Sequence, residues 1–316
     1  MSFRKIFALI GLFPLISCGS AQPESELNLV GGKQAKATQY GSAVYYKMPS
    51  GFCSGTKVSS RHLLTAAHCV ADRKGKIKTN LAAGTTLQIT NFPTRNEKDT
   101  RLWHSGKIKA IHIQDEYAAE CSASGVDCGT SLDVKLLPPP DIAIIEFTKD
   151  LPSQWPTAQV DVKNVLDGDT VDVVGYGCEA GVNGTFSNIV HKKIGQGAVV
   201  SSYKINDWGK HVEKPNLDFF ASRFFLTPGV RYDGQSNRTG FSLCPGDSGG
   251  PVYRVGQNIV VGVNADYTFF DPADGYASIN IHTRLIDPWH RSSIDLWLKS
   301  ILPTSSFVYS GQNQSL

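Results

Sequence analysis

The sequence has no long apolar run beyond its first sixteen residues, no dominant sign of charge and no internal repeat. Nothing after that run approaches the ~20 apolar residues a membrane-crossing helix needs. Lys and Arg number 31 against 28 Asp and Glu, a formal net charge of +3. That balance is too mild and too evenly spread to argue for a nucleic-acid partner. No heptad array or low-complexity tract is present, which excludes coiled-coil and collagen-like chains. No Cys-x-x-Cys or His-Glu-x-x-His occurs, so zinc has no support and no metal site is expected. What remains is 316 residues, 41% apolar and 19% charged. That is enough for a sizeable core in one large domain or two smaller ones.

The amino terminus reads as an export signal over residues 1–17. Arg4 and Lys5 precede an apolar stretch from Ile6 to Ile16 that is too short for a mature membrane helix. The run ends Leu15-Ile16-Ser17-Cys18, which resembles a bacterial lipoprotein signal, cleaved before a cysteine that then takes a lipid. The alternative is ordinary cleavage near Ala21, with Cys18 discarded. Either way the chain is expected outside the cytoplasm, and a lipid on Cys18 would be its one attachment to a membrane. With Cys18 set aside, six of the seven cysteines remain: Cys53, Cys69, Cys121, Cys128, Cys178 and Cys244. In an oxidising compartment they can form three bridges, with fifteen connectivities open.

From Leu29 onward the pattern is mainly β. Short runs of Val, Ile, Thr and aromatics, broken by Gly, Pro, Asn and Asp, predict strands at 42–46, 63–67, 85–90, 108–113, 142–147, 170–175, 198–203, 224–226, 251–255 and 259–263. Many short strands without helical periods between them point to barrels or sandwiches. One helix is predicted near the end. Ile294, Trp297, Leu298, Ile301 and Leu302 share a face, Ser292 is placed to cap it, and Pro303 stops it. Residues 304–316 read as a flexible polar tail.

Three segments carry chemistry. In Ala66-Ala67-His68-Cys69, a strand ends in small residues that leave an imidazole edge accessible. Alone, such a histidine is more often structural. In Asp141-Ile142-Ala143 a carboxylate heads an apolar strand, where burial demands a hydrogen-bond partner. Backbone N–H groups could satisfy it, and so could a histidine ring. In Cys244-Pro245-Gly246-Asp247-Ser248-Gly249-Gly250-Pro251, glycines free the backbone around one serine, so N–H groups at Gly246 and Ser248 can point at a developing oxyanion.

Together, and in the order His, Asp, Ser, these segments resemble the chymotrypsin/trypsin-like serine peptidases. Leu29-Val30-Gly31-Gly32 looks like that family's mature amino terminus, and Gly175-Tyr176-Gly177 resembles its Gly-Trp-Gly turn. The resemblance spans residues 29–303. It implies an all-β fold of two six-stranded antiparallel barrels, a C-terminal helix, and a site in the cleft between the barrels. It implies catalysis by His68, Asp141 and Ser248, an oxyanion hole at Gly246 and Ser248, no cofactor, and a monomer acting on polypeptide substrate. It implies a Cys53–Cys69 bridge. Local spacing suggests Cys121–Cys128, and Cys178–Cys244 is what remains, in keeping with the family's packing.

The resemblance also places Ser242, six residues before the serine, at the floor of the primary specificity pocket. No carboxylate stands there, so an apolar or aromatic residue before the scissile bond is expected. Asp266, Asp271 and Asp274 could instead reach the pocket from the following loop. Activation would follow a cut between Asn28 and Leu29, freeing Leu29 to pair its amine with Asp247, with residues 18–28 as a propeptide tether. Three features depart from the family pattern. His68 and Asp141 lie 73 positions apart, a wide interval holding Cys121 and Cys128. Tyr176 replaces a tryptophan. Asn264-Ala265-Asp266 stands where Ser-Trp-Gly is usual.

Two other readings compete. Gly246-Asp247-Ser248-Gly249-Gly250 also fits the Gly-x-Ser-x-Gly elbow of α/β-hydrolases, with His282 and His290 downstream. That elbow needs a helix after the serine, and a β-branched hairpin follows instead. The second is a peptidase fold used only for binding, although such modules usually lose a member of the triad.

Overall fold

The computed structural model describes residues 32–36, 38–96, 98–123, 128, 138–163, 165–177, 189–204, 213–229, 231–232, 238–269, 278–286 and 293–308. The expected export signal, Cys18, Leu29, Cys178, Asp271, Asp274 and Ser292 lie outside these residues.

Six strands pair antiparallel and close on themselves in the order Ala43–Met48, Gly51–Lys57, His62–Thr65, Ala143–Phe147, His104–Ile113, Thr86–Thr90. Alternation turns Leu87 and Ile89 inward on either side of exposed Gln88. Ala143–Phe147 is buried except at Glu146, whose carboxylate meets Lys109 Nζ at 2.7 Å. Closure leaves this barrel no open edge.

The second sheet runs Lys33–Gln34, Lys193–Ala198, Thr170–Gly175, Pro251–Arg254, Ile259–Phe269, Ser278–Arg284, Phe224–Pro228. An antiparallel bridge between Val200 and Leu226 brings the last strand back beside the chain that leaves Lys193–Ala198. Six of these strands thus curl into a half-barrel joined at one point. The short strand Gln159–Asp161 adds in parallel to Ile259–Phe269 and to Phe307–Val308.

The expected strand at 198–203 is displaced, because the strand ends at Ala198 and occupies Lys193–Ala198. Its Gly195 and Gly197 are there for the Phe241 ring. A Cβ on them would come within 2.2 and 2.9 Å of it, so the run lacks the β-branched signature of a strand. Gly51–Lys57, Ser278–Arg284 and the helices Asp115–Ala123 and Lys214–Arg223 also lie outside the predicted pattern. The C-terminal helix is Ile294–Ile301, with Ile294, Trp297 and Leu298 buried. Its N-cap is Ser293, whose N–H donates to Glu116 at 2.9 Å. The chain beyond Pro303 is not loose at once. Phe307 is buried, and the Ser306 hydroxyl donates to the Val58 carbonyl at 2.8 Å, so 304–308 belong to the fold.

Candidate active site

Strand His62–Thr65 delivers His68 through a single helical turn, Ala67–Val70. The Lys78 ammonium holds the carbonyls of His68 and Cys69 at 3.0 and 2.9 Å. Three buried prolines, Pro138 to Pro140, lead stiffly into Asp141, which is 1% exposed. Of the two partners open to this carboxylate, it takes both. Its Oδ1 accepts the His68 backbone N–H at 2.8 Å, and its Oδ2 meets the ring Nδ1 at 2.6 Å. The carboxylate thus selects the tautomer with hydrogen on Nδ1 and leaves the Nε2 lone pair outward. The imidazole side chain is 22% exposed. Burial opposes its charge, but the charge and hydrogen bond of Asp141 outweigh burial. With help from Asp266, they hold the ring's pKa above its ordinary value.

Ser248 reaches the same place from the other sheet. Nε2 of His68 and the Ser248 carbonyl oxygen both lie against the Cys69 sulfur, at 3.9 and 3.7 Å. Cys69 is bridged to Cys53, so the disulfide underlies the meeting point. Cys53, His68 and Cys69 cluster closely enough to suggest a metal, but two of the three donors are disulfide sulfurs, not thiolates. Cys121 and Cys128 form the second described bridge. Cys244 is disulfide-bonded as well, and its expected partner Cys178 lies outside the described residues.

The loop around Ser248 is held peptide by peptide. Asp247 N–H donates to the Cys244 carbonyl at 3.0 Å, and the Gly246 carbonyl accepts the Ser54 hydroxyl at 2.8 Å. The Asp247 carbonyl accepts Gly250 N–H at 2.9 Å and the Asn264 amide at 3.3 Å. The Ser248 carbonyl accepts Ser54 N–H at 2.9 Å, and Gly249 N–H donates to Asn264 at 2.8 Å. Two N–H groups, of Gly246 and Ser248, donate to nothing among the described residues. Gly246 sits at φ +99°, a conformation that favours glycine.

Asp247 is fully buried. Its carboxylate accepts N–H groups from Gly177 at 2.7 Å and Cys244 at 2.9 Å. Burial pushes its pKa up to about 7, against the pull of those two bonds. The Gly-Tyr-Gly turn is shaped by this carboxylate. A Cβ on Gly175 or Gly177 would come within 2.0 or 2.5 Å of its oxygens. Leu29, its expected partner, lies outside the described residues.

Ser242 is buried. Its hydroxyl accepts from Ser278 at 2.9 Å and lies 3.2 Å from the Leu243 carbonyl. Behind it runs a polar chain that reading the sequence missed as a unit. The Asn280 carbonyl oxygen accepts Leu243 N–H at 2.8 Å, and its amide donates to Thr227 Oγ1 at 3.2 Å. Thr227 meets His282 Nε2 at 2.9 Å, and His282 Nδ1 meets the Asn264 carbonyl oxygen at 3.1 Å. Burial pushes the His282 pKa down to about 3, so this ring is neutral and structural. The one available signal was the departure at Asn264. A polar side chain there needs polar partners, but which ones depends on strand pairing.

The match to known proteins agrees with this geometry. Residues 29–285 fit the trypsin family model. Among solved structures, the chain is similar in fold to mouse neuropsin, a serine protease expressed in the limbic system of the brain. The TM-score is 0.55 at 16% identity, covering 85% of this chain and 97% of that one. The chain belongs to the trypsin family.

Proposed function

We propose that this protein is an exported serine endopeptidase that works through His68, Asp141 and Ser248. The observation that carries the reading is the His68 imidazole fixed on the buried Asp141 carboxylate, with the Ser248 loop meeting it at the Cys69 sulfur. Ser248 Oγ attacks the scissile carbonyl while His68 Nε2 takes its proton and later delivers it to the leaving amine. Asp141 keeps the ring oriented and stabilises the imidazolium. The N–H groups of Gly246 and Ser248 receive the oxyanion, and water then resolves the acyl-enzyme. At Ser242, the expected pocket floor, and at Ser278 and Asn280 packed near it there is no charge, which favours an apolar or aromatic residue before the scissile bond over Lys or Arg. The enzyme is made as a zymogen activated by a cut before Leu29. A lipid on Cys18 would hold the uncut form at the bacterial cell envelope.

A fluorophosphonate probe tests the nucleophile. Wild type should be labelled at Ser248 and should cleave a peptide library. Ser248→Ala should lose labelling and at least ~10⁴-fold in turnover, on the scale measured for such triads, with the fold intact. A Ser248→Ala variant retaining a tenth of wild-type activity, or an unlabelled wild type, would refute the mechanism.

A further inference from the structure

Only one side chain from the first barrel donates to the carbonyl of Gly246 among the described residues, and it is Ser54. Ser54 lies on strand Gly51–Lys57, beside the bridged Cys53, and is fully buried. Its hydroxyl donates to the Gly246 carbonyl at 2.8 Å and accepts Tyr176 N–H at 3.2 Å, while its backbone N–H donates to the Ser248 carbonyl at 2.9 Å. One residue therefore joins the His68 barrel to the Gly-Tyr-Gly turn and to both ends of the Gly246–Ser248 stretch.

The peptide unit between Gly246 and Asp247 is gripped on both sides, its N–H by the Cys244 carbonyl and its C=O by Ser54. The unit before it carries the Gly246 N–H. Gly246, without a Cβ, offers little resistance to rotation between the two planes. The direction of its N–H is therefore set by how firmly the following plane is held. Removing the Ser54 hydroxyl releases that plane on the carbonyl side. It also leaves a buried carbonyl and the Tyr176 N–H without their partner, which favours turning the plane to find another.

We propose that Ser54 is a positioning residue for the oxyanion hole: by anchoring the Gly246 carbonyl, its hydroxyl keeps the Gly246 N–H aimed at the developing oxyanion. This rests on Ser248 being the nucleophile. Such an anchor acts on the transition state more than on substrate binding, so its loss falls on kcat.

The test compares wild type, Ser54→Ala and Ser54→Thr, with kcat and KM expressed per active site titrated with a fluorophosphonate. Removing an oxyanion donor outright costs ~10²–10³-fold in kcat. Misaiming one should cost roughly tenfold, with KM within about twofold. Ser54→Thr, which keeps the hydroxyl, should recover most of the loss. If Ser54→Ala gives no titratable sites, Ser54→Cys, of similar size but a weak donor, is read in the same way. A wild-type kcat per titrated site in the variant lacking a good donor, even with a lowered melting temperature, overturns the proposal and leaves Ser54 a packing residue. A loss that falls on KM alone overturns it as well. An unlabelled wild type overturns the assignment of Ser248, and this proposal with it.

Discussion

The His68 imidazole is drawn two ways, with burial resisting its charge and Asp141 inviting it. Asp141 and Asp266 together prevail, so the ring titrates above its ordinary value of 6.5. A general base must be neutral to accept the serine proton. Peptide hydrolysis should therefore rise with pH through a midpoint above 6.5, read from kcat/KM across a pH series. A midpoint at or below 6.5 would contradict the assigned geometry. Stability runs the other way. A group whose folded pKa is raised contributes stability that is full below the unfolded value and fades as pH rises through the folded one. The residues of this pair were legible in the sequence, because a small-residue strand end and an acid heading an apolar strand are local patterns. That Asp141 grips both the backbone and the ring of His68 was not, because the two lie 73 positions apart.

At the scale of elements, the helix Asp115–Ala123, inside the wide interval between His68 and Asp141, is clamped by an arginine on another helix. Arg223, at the end of Lys214–Arg223, is buried. It pairs with Glu116 at 2.9 Å and Glu120 at 2.6 Å on the helix Asp115–Ala123. The same guanidinium donates to the Pro138 carbonyl at 3.1 Å, three residues before Asp141, and lies 3.9 Å from the Phe219 ring centre. Glu116 in turn accepts the N–H of Ser293 at the start of the C-terminal helix. Arg223→Ala should lower the unfolding free energy by roughly 1.5–3 kcal/mol, the range for hydrogen bonds to a charged group. The two glutamates are partly exposed and can rehydrate, which keeps the loss below that of a fully buried pair. Lys299→Ala, which breaks the exposed pair with Asp295, should cost ~0.5 kcal/mol or less. Urea denaturation of the three chains separates these outcomes, and equal losses would deny the clamp its role.

At the scale of the whole molecule, the activation proposed for this chain would turn on Asp247. In the uncut chain its carboxylate is buried, with its pKa raised from 3.8 to about 7. Between those values the folded state holds a proton that the unfolded state has released, so stability falls as pH rises. The decline is on the order of 4 kcal/mol, at about 1.4 kcal/mol per pKa unit. Compared with Asp247→Asn, the uncut protein should lose stability between about pH 4 and 7 and change little above that. After a cut before Leu29, an amine paired with Asp247 should abolish or invert this slope. Thermal melts of cut and uncut protein across pH decide it, and identical slopes would exclude the pairing.

The sequence alone determined the fold class, the residues of the candidate triad and the serine loop, and the C-terminal helix. These rest on strand alternation, helical periodicity and turn glycines, which act over a few neighbouring residues. It also marked Asn264 as out of pattern without saying what it contacts. Only the tertiary structure decided that Ser54 grips the serine loop, that His282 and Asn264 form a polar chain with Thr227 and Asn280, and that Phe307 closes against Gln159–Asp161. Gly51–Lys57 and Lys193–Ala198 were illegible as strands because their small residues answer to a loop and a ring packed on them from elsewhere in the chain. A residue chosen to fit a distant partner carries no local signature, so its role exists only once the two sheets are brought together.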